Sequence, residues 1–204
     1  MITFPTLRQL WSRLSEESLL RVFGDWEVMI GLEATIGATE VHLIDEFASV
    51  RELLGTPNVI VSTRVEGICD GPIFYAFPMA LALEIIGDVM MIPKASRAEK
   101  ANSELAEHEV EALQEMANLM CGSSNMAFQH LKHDFRVSQK VEHLKIWNGG
   151  TECDGLGEIV PDDRTLFVRR EIELEDSRHP MLIMLPLELA TDVAAKFFPE
   201  KAAR

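Results

Sequence analysis

Two stretches half a chain apart share one pattern: PIFYAFPMALA at residues 72–82 and PMLIMLPLELA at residues 180–190. Both read P-x5-P-x3-A, and their first prolines, Pro72 and Pro180, lie 108 positions apart. Five apolar residues between prolines are too few for a helix and suit a buried strand. The second proline suits the opening of a helix, where its missing N–H is not needed. Each copy follows an alternating strand, NVIVSTRV from Asn58 to Val65 and TLFVRREIE from Thr165 to Glu173. The result is two strand–turn–strand–helix units, at about 58–91 and 165–198, which predict a single α+β domain over 1–204 with pseudo-twofold symmetry. A repeat array would use shorter periods.

Around these units the chain reads as follows. Thr6 to Phe23 is a helix, with a stripe of Leu7, Leu10, Trp11, Leu14, Leu19, Val22 and Phe23, punctuated by Gly24 and Asp25. Trp26 to Ile44 is open between helix and strand, and Phe47 to Leu54 reads as a short helix closed by Gly55-Thr56-Pro57. Met79 to Met91 is a helix, and Pro93 to Ser103 a polar connector in which Ser96 and Glu99 have capping-box spacing. Arg136 to Ile146 alternates as a strand. Asn148 to Arg164 is a loop rich in Gly and Asp, and Leu187 to Phe198 is a final helix stopped by Pro199.

The net charge of −14 over 204 residues repels nucleic-acid phosphates and anionic membranes, which are bound through Lys and Arg. A basic partner surface is favoured instead. Cys69, Cys121 and Cys153 are odd in number and lack a C-x-x-C pair, so they read as reduced thiols. MITFPTLRQLWSRL lacks the pattern of a signal peptide, and the longest apolar run, Phe74–Ile86, is broken by Pro78 and Glu84. A cytoplasmic protein is expected.

Residues 109–131, EVEALQEMANLMCGSSNMAFQHL, form a helix with two unlike faces. Val110, Leu113, Ala117, Met120, Ser124 and Phe128 make a largely apolar one. Glu111, Glu115, Asn118, Gly122 and Asn125 recur on the other. A polar stripe on an amphipathic helix is ordinarily solvated surface, but such a face mixes Glu with Lys or Arg. None occurs between Glu109 and Lys132. Gly122 stands in mid-helix at a cost of about 0.5–1 kcal/mol relative to Ala, which points to close approach by another body. The spacing alone is not specific, since Glu99 and Asn102 repeat E-x-x-N in the connector.

Glu115 and Asn118, three apart, project from one face. A carboxylate beside an amide is no nucleophile–base pair. The amide both donates and accepts, so it can position a water, while the carboxylate anchors a cation. Orienting the attacking water is much of what a protein contributes to phosphoryl transfer. Other clusters carry less. His130, His133 and Asp134 fall short of a metal-ligand set, and histidines near a helix C-terminus suit its dipole. Cys121 has no base close in sequence and reads as a core residue, as do Trp11, Trp26 and Trp147. The loop CDGLGEIVPDD, residues 153–163, has neither calcium-ligand spacing nor a phosphate-loop Lys.

Glu115-Met-Ala-Asn118-Leu-Met-Cys-Gly122, together with the P-x5-P-x3-A repeats, resembles the CheC/CheX/FliY family of chemotaxis phosphatases over roughly Asn58 to Phe198. The resemblance implies a long, mostly antiparallel sheet flanked by helices. It implies hydrolysis of the aspartyl phosphate of a CheY-type response regulator, with Glu115 pairing with the regulator's active-site Lys and Asn118 holding the water in line. Glu111, Gly122 and Asn125 would frame the contact. Mg²⁺ would sit on the regulator, so no cofactor is expected on this chain. A homodimer and a CheD-like partner are further implications. Glu111 stands where the family often has Asp or Ser, and Gln139-Lys140-Val141 where it often has Pro. No E-x-x-N occurs on the first helix and no FliN-like extension follows residue 204, which places the resemblance nearer CheX than CheC or FliY. Two functions fit: the phosphatase, and a catalytically silent module on the same fold that docks a regulator or adaptor.

Overall fold

The structure, a computed structural model, describes residues 1–44, 57–101, 103–147, 164–174 and 177–202. The short helix expected at Phe47–Leu54, the loop at 148–163 and Cys153 lie outside the described residues.

The two sequence repeats become two hairpins. β2 (Asn58–Gly67) pairs with β3 (Gly71–Pro78), and β5 (Thr165–Leu174) with β6 (Ser177–Pro186), all antiparallel. The hairpins join through β3 and β6, with Phe74 opposite Met184, Tyr75 opposite Ile183 and Ala76 opposite Leu182. Tyr75 and Ile183 are the same position in the two copies of the motif. A residue that faces its own equivalent marks the pseudo-twofold axis. The outer strands then exchange halves: β1 (Thr35–Ile44) pairs with β5, and β4 (Val137–Trp147) with β2. The order is β1-β5-β6-β3-β2-β4.

The helices are α1 (Phe4–Ile30), α2 (Met79–Gly87), α3 (Lys94–Lys100), α4 (Glu107–Leu131), α5 (Leu187–Phe197) and α6 (Pro199–Ala202). Val59, Val61, Ile73, Tyr75, Leu166, Val168 and Ile183 share one buried cluster with α1, α2, α4 and α5. Ile60, Phe74, Ala76, Phe167, Leu182 and Met184 form a second on the opposite face of the sheet. Burial on both faces explains why the central strands read as continuous apolar runs. The edge strand β4, by contrast, alternates.

Several sequence expectations are corrected. α1 runs through Gly24 and Asp25 to Ile30, and the residue that ends it is Gly31, at φ 71°, whose N–H bonds Glu27 O. Burying a large apolar side chain such as Trp26 contributes roughly 1.5–3 kcal/mol, against about 1 kcal/mol for a helical glycine. Packing wins. Within Trp26–Ile44, open between helix and strand from the sequence, Thr35–Ile44 resolves as strand. α2 stops at Gly87, short of Met91, because the next turn is held by Arg97. That buried guanidinium bonds Glu84 at 2.6 Å, Ile92 O at 3.1 Å and Asp88, and a Cβ on Gly87 would fall 2.3 Å from its Nε. The connector thus contains α3, opened by Pro93 rather than by a Ser96 cap.

The reaching-back carboxylate belongs to Glu109 instead. It is buried, accepts the Ala106 N–H at 2.8 Å and pairs with Lys100 at 2.8 Å. Burial pushes its pKa up, but the bonds from Lys100 and Ala106 outweigh burial and hold it below the ordinary value of 4.5. A carboxyl with a depressed folded-state pKa stabilises above its unfolded pKa and loses that stabilisation as pH falls through the folded one. Glu109→Gln is therefore expected to destabilise by about 1–2 kcal/mol at pH 7. The deficit should shrink below pH 4.5, which urea unfolding of both proteins at pH 7 and pH 3 would measure.

Candidate functional site

α4 lies against α1 in antiparallel fashion. Trp11 of α1 meets Phe128 edge-on at 6.4 Å, near the end of α4, while Trp26 shares a small cavity with Leu113, Met116 and Ala117 near its start. Polar bonds lock the pair: Ser18 to Ser124 at 2.6 Å, Ser123 to Asp25 at 2.5 Å, and His130 to Glu17 at 2.8 Å. The apolar face read from the sequence is the buried one, including Leu113, Ala117, Met120, Ser124 and Phe128. His130 thus turns to α1. Among the described residues no three His, Cys, Asp or Glu side chains converge as a metal site. Cys121 is buried, and burial pushes its thiol up to about 12.

The opposite stripe faces out. Glu111, Glu115, Asn118 and Gly122 are all exposed. Among the described residues the side chains of Glu111, Glu115 and Asn118 make neither hydrogen bond nor ion pair. The rise of the helix sets Glu115 and Asn118 about 4.5 Å apart along its axis. Leu119 and Met126 beside them are 37% and 57% exposed, so the polar stripe has an apolar margin. A Cβ placed on Gly122 would meet nothing within 4 Å. Nothing among the described residues requires that glycine.

Asn125 departs from the expectation for it. It is half-buried, and its Oδ1 accepts the Gln139 N–H of β4 at 2.8 Å. The Gln139 side chain continues inward, its Nε2 donating to Thr63 Oγ1 at 2.7 Å and to Tyr75 OH at 2.9 Å. Tyr75, held up at about 12 chiefly by burial, lies 3.5 Å from Ser124 Oγ. This network fixes the site helix to the edge strand and to the axis of the sheet. A proline at 139 would have no N–H to give Asn125, so the departure from the family pattern noted there has a structural use. Sequence reading missed Gln139, because its signal is a polar residue among inward positions of an alternating strand.

The pseudo-symmetry gives α1 an equivalent stripe. Buried Trp11, Leu14, Ser15, Ser18, Leu19, Val22 and Trp26 match, spacing for spacing, buried Leu113, Met116, Ala117, Met120, Cys121, Ser124 and Phe128. The same alignment sets exposed Gln9, Arg13, Glu16 and Leu20 against Glu111, Glu115, Asn118 and Gly122. Only α4 carries a carboxylate followed by an amide.

No protein-family model matches the sequence, and no curated protein matches it. Solved structures do. FliY of Thermotoga maritima superposes with a TM-score of 0.76 at 17% identity, over 98% of this chain and 100% of that one. The FliM middle domain of H. pylori gives 0.70 at 12%, over 96% and 99%. The chemotaxis protein CheX of Vibrio vulnificus gives 0.56 at 15%, over 84% and 98%. The chain has the CheC/CheX/FliY fold. The match takes in α1 and β1, which the sequence resemblance left aside, and it spans FliY and FliM as well as CheX.

Within that fold, the open space around Gly122 makes a test of stability simple. Gly122→Ala is expected to stabilise the protein by about 0.5–1 kcal/mol, because Ala is the better helix former and clashes with nothing. Denaturant midpoints would show it.

Proposed function

We propose that this protein is a phosphatase acting on the aspartyl phosphate of a CheY-type response regulator in chemotaxis or related two-component signalling. The observation that carries this reading is the outward Glu115–Asn118 pair on the ridge of a helix, without a partner among the described residues. A convex ridge cannot enclose a small substrate, so any chemistry it performs takes place in a cleft that belongs to a partner.

The ridge would enter the regulator's active site. There the Glu115 carboxylate would pair with the regulator's lysine, fixing the register of the two proteins. The Asn118 amide would accept a hydrogen bond from the attacking water and donate one to the phosphoryl group, holding the water oxygen in line with the scissile bond. The water oxygen bonds to phosphorus, the bond to the aspartyl oxygen breaks, and the aspartate leaves as carboxylate. The water's proton passes to the phosphate and solvent. A Mg²⁺ on the regulator would neutralise the phosphoryl oxygens, as such ions do in phosphoryl transfer. Gly122 would let the regulator's backbone approach α4, with Glu111 at the margin.

A second reading is a docking module without turnover. FliM of H. pylori, which shares the fold, has been solved in complexes with FliG and with SpeE, and the FliG complex superposes with a TM-score of 0.73 at 12% identity. One measurement separates the two: the lifetime of phosphate on a CheY-type regulator in the presence of substoichiometric protein. The phosphatase reading expects faster loss, reduced about ten- to a hundredfold by Asn118→Ala and strongly by Glu115→Ala. An unchanged lifetime with binding intact would favour the docking module. An unchanged lifetime without binding would remove both.

A further inference from the structure

At the far end of α4 from the Glu115 stripe, α1, α4 and α5 converge on a groove of about 310 Å³. Its floor is apolar, made by Leu10, Leu131, Phe197 and Phe198, and its rim carries Arg13 and Lys132. Leu131 lies roughly 20 Å along α4 from Asn118, so the groove is separate from the proposed phosphatase site.

Its charge runs against that of the whole chain. With 33 acidic and 19 basic residues, a basic side chain here is expected to find a carboxylate. No carboxylate lines the groove among the described residues. Arg13 is exposed and, among the described residues, makes neither ion pair nor hydrogen bond. Lys132 bonds a backbone carbonyl, Lys196 O, and stands 5.9 Å over the Phe197 ring; Lys201 stands 4.7 Å over Phe198. The floor is rigid. Phe135 stacks on Phe128 at 5.5 Å and meets Phe197 at 4.6 Å, so the rings run from the core to the groove wall. The pseudo-symmetry adds a contrast, since Gln9 and Arg13 occupy the positions equivalent to Glu111 and Glu115. At these two positions one half carries two carboxylates and the other an amide and a cation, which do not suit the same partner group.

We propose that this groove docks a short acidic segment of a partner protein. One bulky apolar side chain of the segment seats among Leu10, Leu131, Phe197 and Phe198, and flanking carboxylates meet Arg13 and Lys132. The volume sits at the low end of ligand pockets, roughly 300–1,000 Å³, and takes one or two side chains. A polyanion is disfavoured, because two cations on a chain of net charge −14 do not offset its repulsion. The apolar anchor supplies affinity, and the two cations select against basic segments.

The test uses fluorescence anisotropy of the full chain with three labelled hexapeptides in 0.15 M salt. One is Glu-Asp-Leu-Phe-Glu-Glu, the second replaces every acid by Lys, and the third replaces Leu and Phe by Ala. The first alone is expected to bind saturably. Arg13→Glu, at an exposed position, should weaken it about tenfold with an unchanged thermal midpoint, while Glu115→Ala leaves it unaltered. Four outcomes would overturn the proposal: no binding of the first peptide; equal binding of either control; an affinity indifferent to Arg13→Glu; or capture by vesicles of phosphatidylcholine and phosphatidylglycerol in place of the peptide.

Discussion

Everything in this molecule is arranged about the pairing of Tyr75 with Ile183 across β3 and β6. That register sets the pseudo-twofold axis, joins the two hairpins into one sheet and sends each outer strand to the opposite half. It also determines how the helices lie. Because α1 and α4 are equivalents across the axis, they cross the same face of the sheet antiparallel, each burying one side against the other. Each must therefore present its remaining side outward. An exposed helix ridge is a product of the symmetry before it is a site.

The symmetry constrains the two ridges unequally. Their buried positions match closely, because both must fill the same core. Their exposed positions are free of that demand and have diverged into Glu111, Glu115, Asn118 and Gly122 on α4 and Gln9, Arg13, Glu16 and Leu20 on α1. Glu16 is engaged by Arg170, whose buried guanidinium also bonds Ser15 Oγ and Gly37 O and so ties α1 to β1 and β5. One ridge keeps its polar side chains turned outward, and part of the other holds the molecule together.

How much of this the sequence disclosed depends on whether a signal was local. The strand–proline–helix repeats were legible because strand length, proline placement and apolar runs act over ten residues. So was the outward stripe of α4, from periodicity and the missing lysines. The long α1 was not, because Gly24 is a local helix-breaking signal overruled by the burial of Trp26, a tertiary effect. Thr35–Ile44 was ambiguous for a related reason: as an edge strand, its character comes from pairing with β5, far along the chain. Asn125 looked like its neighbours on the stripe, and only the approach of β4 shows that its amide oxygen is already engaged.

The exchange of edge strands also bears on how the chain acquires its fold during synthesis. β1 emerges early but finds its partner only when β5 has been made: Val41 pairs with Val168. At the usual elongation rates of about 5–20 residues per second, that wait is roughly 6–25 s. Throughout it the first half can form its own hairpin but cannot close the sheet, because the residues of β1 have no strand to pair with. A fold that shares its edges between halves thus completes neither half before the other has been made.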